Sequence, residues 1–182
     1  MIRMSRWLFL FLLTIFPTPG QQFFDVLIRH GHIIDGTGSP WYSGDIGIRA
    51  GRIAAIGNLS HAEAPRVIDA KEMVVAPGFI DMMGQSELTI LLEPHLPSKI
   101  FQGITTEITG EGDSVAPLND FLLEANRLRF EHLGIQPSWR TLQQYFAQLE
   151  KRGIGLNLGT FVGATQVRRF VLGDANRAPT TD

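Results

Sequence analysis

Residues Val74–Leu92 read VVAPGFIDMMGQSELTILL. An apolar run closes at Pro77-Gly78, Phe79 to Met83 makes a short strand-like piece, and the chain turns polar at Gly84-Gln85-Ser86-Glu87. A proline–glycine break between two β-type runs marks a junction. The texture of the sequence differs on its two sides, and that difference decides the fold.

Upstream, from Phe23 to Val75, the pattern is β. FDVLIRHGHIIDGTG alternates apolar and polar residues around His30-Gly31, and DIGIRAGRIAAIG does so around Ala50-Gly51. An X-Gly pair between β-branched runs is a hairpin signal, because glycine accepts the positive φ of a tight turn. The segments Ile28–Ile33 and Ile48–Ile53 also resemble each other. Two copies are too few for a solenoid, so the reading is two stacked hairpins of a small sandwich.

Downstream, strands alternate with helices. Phe79 to Met83, Gly103 to Thr109 and Leu156 to Val162 are apolar or β-branched runs. Asn119 or Asp120 caps a helix running to about Leu133, and Ser138 caps a second. In the second, Trp139, Leu142, Tyr145, Phe146 and Leu149 form an apolar stripe at helical spacing, expected to be core. This order predicts parallel βα units. Three strands are few against the eight of a (β/α)₈ barrel, and the sequence reads as the front portion of something larger.

The 182 residues carry a formal net charge of -2 and no cysteine. There is no basic footprint for nucleic acid, no disulfide framework and no thiolate metal site. Arg3 and Arg6 precede an apolar stretch from Trp7 to Phe16, then Pro17-Thr18-Pro19-Gly20. That is the layout of a secretory signal cut near Gly20, too short to span a membrane. The expectation is an exported protein (periplasmic or extracellular) without a stable membrane anchor.

Four stretches carry a family resemblance: FDVLIRHGHIIDGTGSPWYSGDIGIRAGRIAAIG, VIDAKEMVVAPGFIDMM, QGITTEITGEGDSVAPL and LNLGTFVGATQVRRFVLGDANRAPT. In that order they resemble the N-terminal part of the amidohydrolase superfamily, closest to N-acyl-D-amino-acid deacylases (D-aminoacylases). The resemblance implies an α/β architecture: the N-terminal part of a metal-dependent hydrolase (β/α)₈ barrel, preceded by a small β-sandwich segment. The implied division is a signal peptide over 1–20, the composite sandwich segment over 21–75, and the first βα units of an incomplete barrel over 76–182. Such enzymes act on small-molecule substrates and use one or two divalent ions, usually zinc, to polarise an amide carbonyl and to activate water, whose pKa falls to about 7 on zinc.

The sequence departs from that pattern at three places. Met83 and Gln85 stand where the family has a His-x-His pair, and thioether and amide are poor zinc donors. Gly112, in Thr109-Gly110-Glu111-Gly112-Asp113, takes the position of a metal-binding cysteine. Val162-Gly163-Ala164 replaces a frequent Val-Gly-His. Two readings stay open. In one, a single ion, expected to be Zn²⁺, is kept, with Glu111 or Asp113 as carboxylate ligand and histidines from later strands. In the other, the protein is a non-catalytic exported binding module that has lost its metal. Gln85 and Glu87 line the mouth of the first strand in either case, and Met83 is expected to pack inward. Catalytic residues are expected beyond Asp182, so that this chain alone is inactive. The His-x-His that is present, His30-Gly31-His32, is read as a surface turn with two solvated histidines.

Overall fold

A computed structural model describes residues 22–181; the expected signal segment over 1–20 and its cut near Gly20 lie outside the described residues. The chain divides into two compact units at Pro77–Gly78, two residues past the expected boundary. Each is described by itself.

The first unit is one mixed sheet of five strands. β1 (Val26–Ile33), β2 (Tyr42–Arg49) and β3 (Arg52–Gly57) are antiparallel neighbours, while β4 (Arg66–Asp69) and β5 (Val74–Val75) both lie parallel to β1. This corrects the expectation of two stacked hairpins. Ala50-Gly51 does form a reversal, with both residues at positive φ (50° and 71°), as a mirror-image two-residue turn requires. His30-Gly31 does not, because it lies inside β1. Pairing runs from Ile28↔Ile46 to Gly31↔Gly44 and leaves Arg29 and His30 opposite Asp45 alone, a two-against-one bulge. His30 sits at φ 59°, and its backbone N–H donates to Asp45 Oδ1 at 3.0 Å. The buried Asp45 carboxylate also accepts the Leu59 N–H at 3.0 Å. A carboxylate takes the freed donor in both places, Asp45 at His30 and Asp25 at Ala50 (2.6 Å); the first X-Gly pair is a bulge because β1 continues past it to Ile33 along β2, while the second closes the reversal between β2 and β3.

The two histidines of this stretch are neither on a turn nor without partners. His30 Nδ1 lies 2.9 Å from Asp69 Oδ1, and the His32 ring stacks on Trp41 with centroids 4.0 Å apart. Phe24, Leu27, Leu59 and Ala62 make the small core of this unit.

The second unit holds a parallel sheet in the order β6 (Phe79–Asp81), β7 (Ile104–Thr109), β8 (Asn157–Thr160). The short α1 (Pro97–Ile100) lies between β6 and β7. Between β7 and β8 come α2 (Asp120–Ala125), α3 (Arg127–Leu133) and α4 (Leu142–Arg152). The three expected strands and their parallel arrangement are present. Asn119 caps α2 by accepting the Leu122 N–H at 2.9 Å, but the helix does not run unbroken to Leu133. Asn126 interrupts it at φ -103° and ψ 8°, and its side-chain amide donates to the Leu122 carbonyl at 2.8 Å, the local competition to which asparagine is prone. The cap of α4 is Thr141, not Ser138, with Gln144 closing a reciprocal capping box. Trp139 therefore precedes the helix, its indole N–H donating to the Val115 carbonyl at 2.9 Å.

The aromatic stripe is core, as expected: Trp139, Tyr145 and Leu149 are essentially inaccessible, packed with Leu122 and Ile90. Burying each such leucine contributes about 1.5–3 kcal/mol. A further helix, α5 (Ala164–Leu172), follows β8 in a stretch to which the sequence reading assigned no element. Its N-cap is Gly163 with no side-chain cap, so no start signal marks it. No helix among the described residues is long and apolar enough to cross a membrane.

Candidate active site

β6 and β7 run parallel, so the loops leaving Asp81 and Thr109 emerge at the same end of the sheet. Between them lies a cleft of about 290 Å³, walled by 84–87 on one side and 110–113 on the other, with Arg129 of α3 at its edge. All four residues expected to line a site, Gln85, Glu87, Glu111 and Asp113, border this one cleft. Glu111, Asp113 and Gln85 are exposed. Met83 is 71% exposed and does not pack inward. The backbone turns immediately after Asp81, where the Met83 N–H donates to Asp81 Oδ1 at 3.1 Å, and this ends the strand before the position from which a side chain would point into the sheet.

The 84–87 loop is fastened from below by a residue that no sequence motif marks. Glu107 lies in the middle of β7 and is wholly buried. Its Oε1 accepts the Ser86 N–H at 3.1 Å and lies 3.5 Å from Lys99 Nζ. Lys99 in turn donates to Asp81 Oδ2 at 2.6 Å. That bond holds the Asp81 carboxyl below its ordinary range and raises the Lys99 ammonium. Gly84 makes the arrangement possible: a Cβ there would stand 1.9 Å from Glu107 Oε1. The Gly84 N–H also donates to the Ile108 carbonyl at 2.9 Å, tying the loop to β7. The one sequence signal for Glu107 is a lone acid inside a β-branched strand, a residue type almost never fully buried unless paired.

Glu87 is held from the helix side. The buried Tyr145 hydroxyl donates to its carbonyl at 2.6 Å, and burial keeps that hydroxyl well above the usual tyrosine range. The Glu87 carboxyl is pushed up chiefly by burial, with Glu107 and Glu111 adding to the rise and Arg129 opposing it. Arg129 Nη2 stands off at 3.8 Å from Glu87 Oε1. Three buried oxygens have no hydrogen-bond partner among the described residues: Glu87 Oε2, Glu107 Oε2 and Thr109 Oγ1. Unsatisfied buried polar atoms are rare in native proteins and call for an unseen proton, water or ion.

No family model matches the chain. An N-acyl-D-glutamate deacylase of Alcaligenes xylosoxydans xylosoxydans is 38% identical over 162 residues, which are 87% of this chain and 32% of that protein. Among solved structures, an N-acyl-D-glutamate deacylase from Bordetella bronchiseptica, complexed with zinc and a phosphonate mimic of the tetrahedral intermediate, superposes with a TM-score of 0.74 at 36% identity; the match covers 88% of this chain and 34% of that one. A D-aminoacylase with a binuclear metal centre, activated by one metal and attenuated by a second, gives 0.72 at 34% identity over 87% and 33%. The chain thus spans about a third of the length of the relatives it matches.

Zinc in a relative raises the question whether the donors in this chain suit a metal. Among the described residues no three His, Cys, Asp or Glu side chains group as a metal site. The thioether of Met83 and the amide of Gln85 do not substitute for imidazole. The partnerless oxygens of Glu87 and Glu107 do fit part of a shell, since carboxylate oxygen is a proper ligand for zinc and for harder divalent ions.

Proposed function

We propose a function from the premise that this chain belongs with the D-aminoacylases of the amidohydrolase superfamily: it is the front part of a metal-dependent hydrolase that cleaves the amide of N-acyl amino acids. The observation that carries the reading is the convergence of Gln85, Glu87, Glu111 and Asp113 on one cleft at the ends of two parallel strands, in a chain whose relatives are deacylases. The β6-β7-β8 sheet is read as the opening of a (β/α)₈ barrel, and the first unit as the chain's share of a composite β-sandwich. A single bound ion, Zn²⁺ by analogy, would lower the pKa of bound water and polarise the amide carbonyl.

This chain's own residues have narrower tasks. Glu111 or Asp113 offers a carboxylate at the rim, Gln85 offers an amide to hydrogen-bond the substrate's own amide, and Arg129 and Glu87 set the charge of the wall. The remaining ligands and the proton-transfer groups lie outside these residues, so the 182-residue chain alone does not turn over. Export by the N-terminal segment is part of the same proposal.

The test is to express the complete reading frame of the source gene beside this chain. Both are assayed for release of free amino acid from N-acyl-D-amino acids, with metal content measured on the same samples. Chelator-sensitive turnover by the complete protein, with about one tightly held ion, supports the hydrolase. Binding of the N-acyl amino acid with no turnover and no metal would instead make it a binding module. Clear turnover by the 182-residue chain would refute this division of labour.

A further inference from the structure

We propose that Glu107 and Glu87 form an oxygen-donor site for one divalent cation, with the Thr109 hydroxyl beside it. This deepens the hydrolase reading at its own site, and it adds Glu107 and Thr109, which the sequence reading did not name, to Glu87, which it placed at the mouth of the first strand.

Each carboxylate has one oxygen engaged and one free. Glu107 Oε1 is held by the Ser86 N–H at 3.1 Å and by Lys99 at 3.5 Å. Glu87 Oε1 faces Arg129 at 3.8 Å. The Oε2 atom of each is buried without a partner among the described residues. A ligating carboxylate has this form, with one oxygen oriented by outer hydrogen bonds and the other left for the ion. Thr109 is 1% exposed with its Oγ1 likewise partnerless, and it lies two residues beyond Glu107, hence on the same face of β7. Lys99 and Arg129 are the cations that face these two carboxylates, each on the Oε1 side, so both Oε2 atoms stay buried without the partner that burial of such an atom calls for. Glu111 and Asp113 are exposed, so water satisfies them and nothing in their surroundings demands an ion.

The donor chemistry suits borderline and hard divalent ions, and Mn²⁺ is the probe. The ¹⁵N-labelled chain is titrated with MnCl₂ while backbone amide signals are followed for paramagnetic broadening. The expected result is saturable broadening centred on Ser86, Ile108 and Thr109. Glu107→Gln should weaken the apparent Kd tenfold or more, while Glu131→Gln, at an exposed acid of α3 outside the cleft and paired with Arg127, leaves it within twofold. If Glu107→Gln does not fold, Glu87→Gln carries the same test, and mapping on the wild-type chain needs no variant at all. Broadening centred on residues 111–113, or no saturable binding at millimolar Mn²⁺, overturns the proposal. The two readings fail separately. A complete protein that keeps its metal in Glu107→Gln sinks this site and leaves the hydrolase standing. One that loses the metal in this variant, yet never hydrolysed an N-acyl amino acid, does the reverse.

Discussion

Gly84→Ala tests the packing beneath the cleft most directly. The added methyl would stand 1.9 Å from Glu107 Oε1, 2.1 Å from its Cγ and 2.3 Å from its Cδ, all far inside van der Waals contact. The backbone at Gly84 is not in the left-handed region, so the cost is steric and falls on Glu107. That side chain is fully buried and cannot swing into solvent. The carboxylate must leave the Ser86 N–H and Lys99, and separating a buried charge from its partners costs about 3–5 kcal/mol. For a unit of this size each kcal/mol moves the melting point by about 4–8 °C, so a fall of at least about 12 °C is expected. Glu107→Ala alone frees the space but strands the Ser86 N–H, costing about 1–3 kcal/mol. With the carboxylate gone the methyl fits, so the double variant should be more stable than the two losses summed by at least about 2 kcal/mol. Thermal and urea unfolding of the four proteins measures this coupling. Additive losses, or a Gly84→Ala protein within about 1 kcal/mol of wild type, would refute the argument.

Three smaller outcomes follow from other parts of the fold. Thr141→Ala should cost about 1 kcal/mol by removing the α4 cap, while Ser138→Ala changes nothing measurable; the reverse order in urea midpoints would restore the cap expected from sequence. Ala50→Asn should stabilise the first unit by a few tenths to about 1 kcal/mol, because Ala50 holds φ 50° and asparagine tolerates that region better; a lowered midpoint would count against the turn. The Asp69 carboxyl is held below its ordinary 3.8, first by the bond to His30 and then by the Lys71 N–H. A depressed carboxyl stabilises the fold fully above the unfolded value and loses that contribution as pH falls through the folded one. Wild type should therefore lose stability faster than Asp69→Asn below about pH 4, and identical acid limbs would dismiss the pair.

Periodicity and punctuation alone determined much of this protein. The Pro77-Gly78 junction, the β texture before it, the three parallel strands after it and the aromatic core of α4 are all legible, because side-chain burial repeats at the period of the backbone. The positions of Gln85, Glu87, Glu111 and Asp113 were also within reach, since residues following parallel strands gather at one end of a sheet. What sequence could not decide depends on distant partners. His30-Gly31 and Ala50-Gly51 look alike locally, and each X residue donates its N–H to a carboxylate; the first is a bulge because the strand pairing with β2 resumes beyond it. Ser138 and Thr141 are both competent caps, and the choice fell to Thr141 because Trp139 is drawn into the core to reach the Val115 carbonyl. Glu107 is the sharpest case. A lone acid in a strand carries no pattern, and its role appears only when Gly84, Ser86 and Lys99, which precede it in the chain outside its own strand, close around one carboxylate. Hydrophobic period is a property of a segment, whereas the satisfaction of a buried charge is a property of its neighbours.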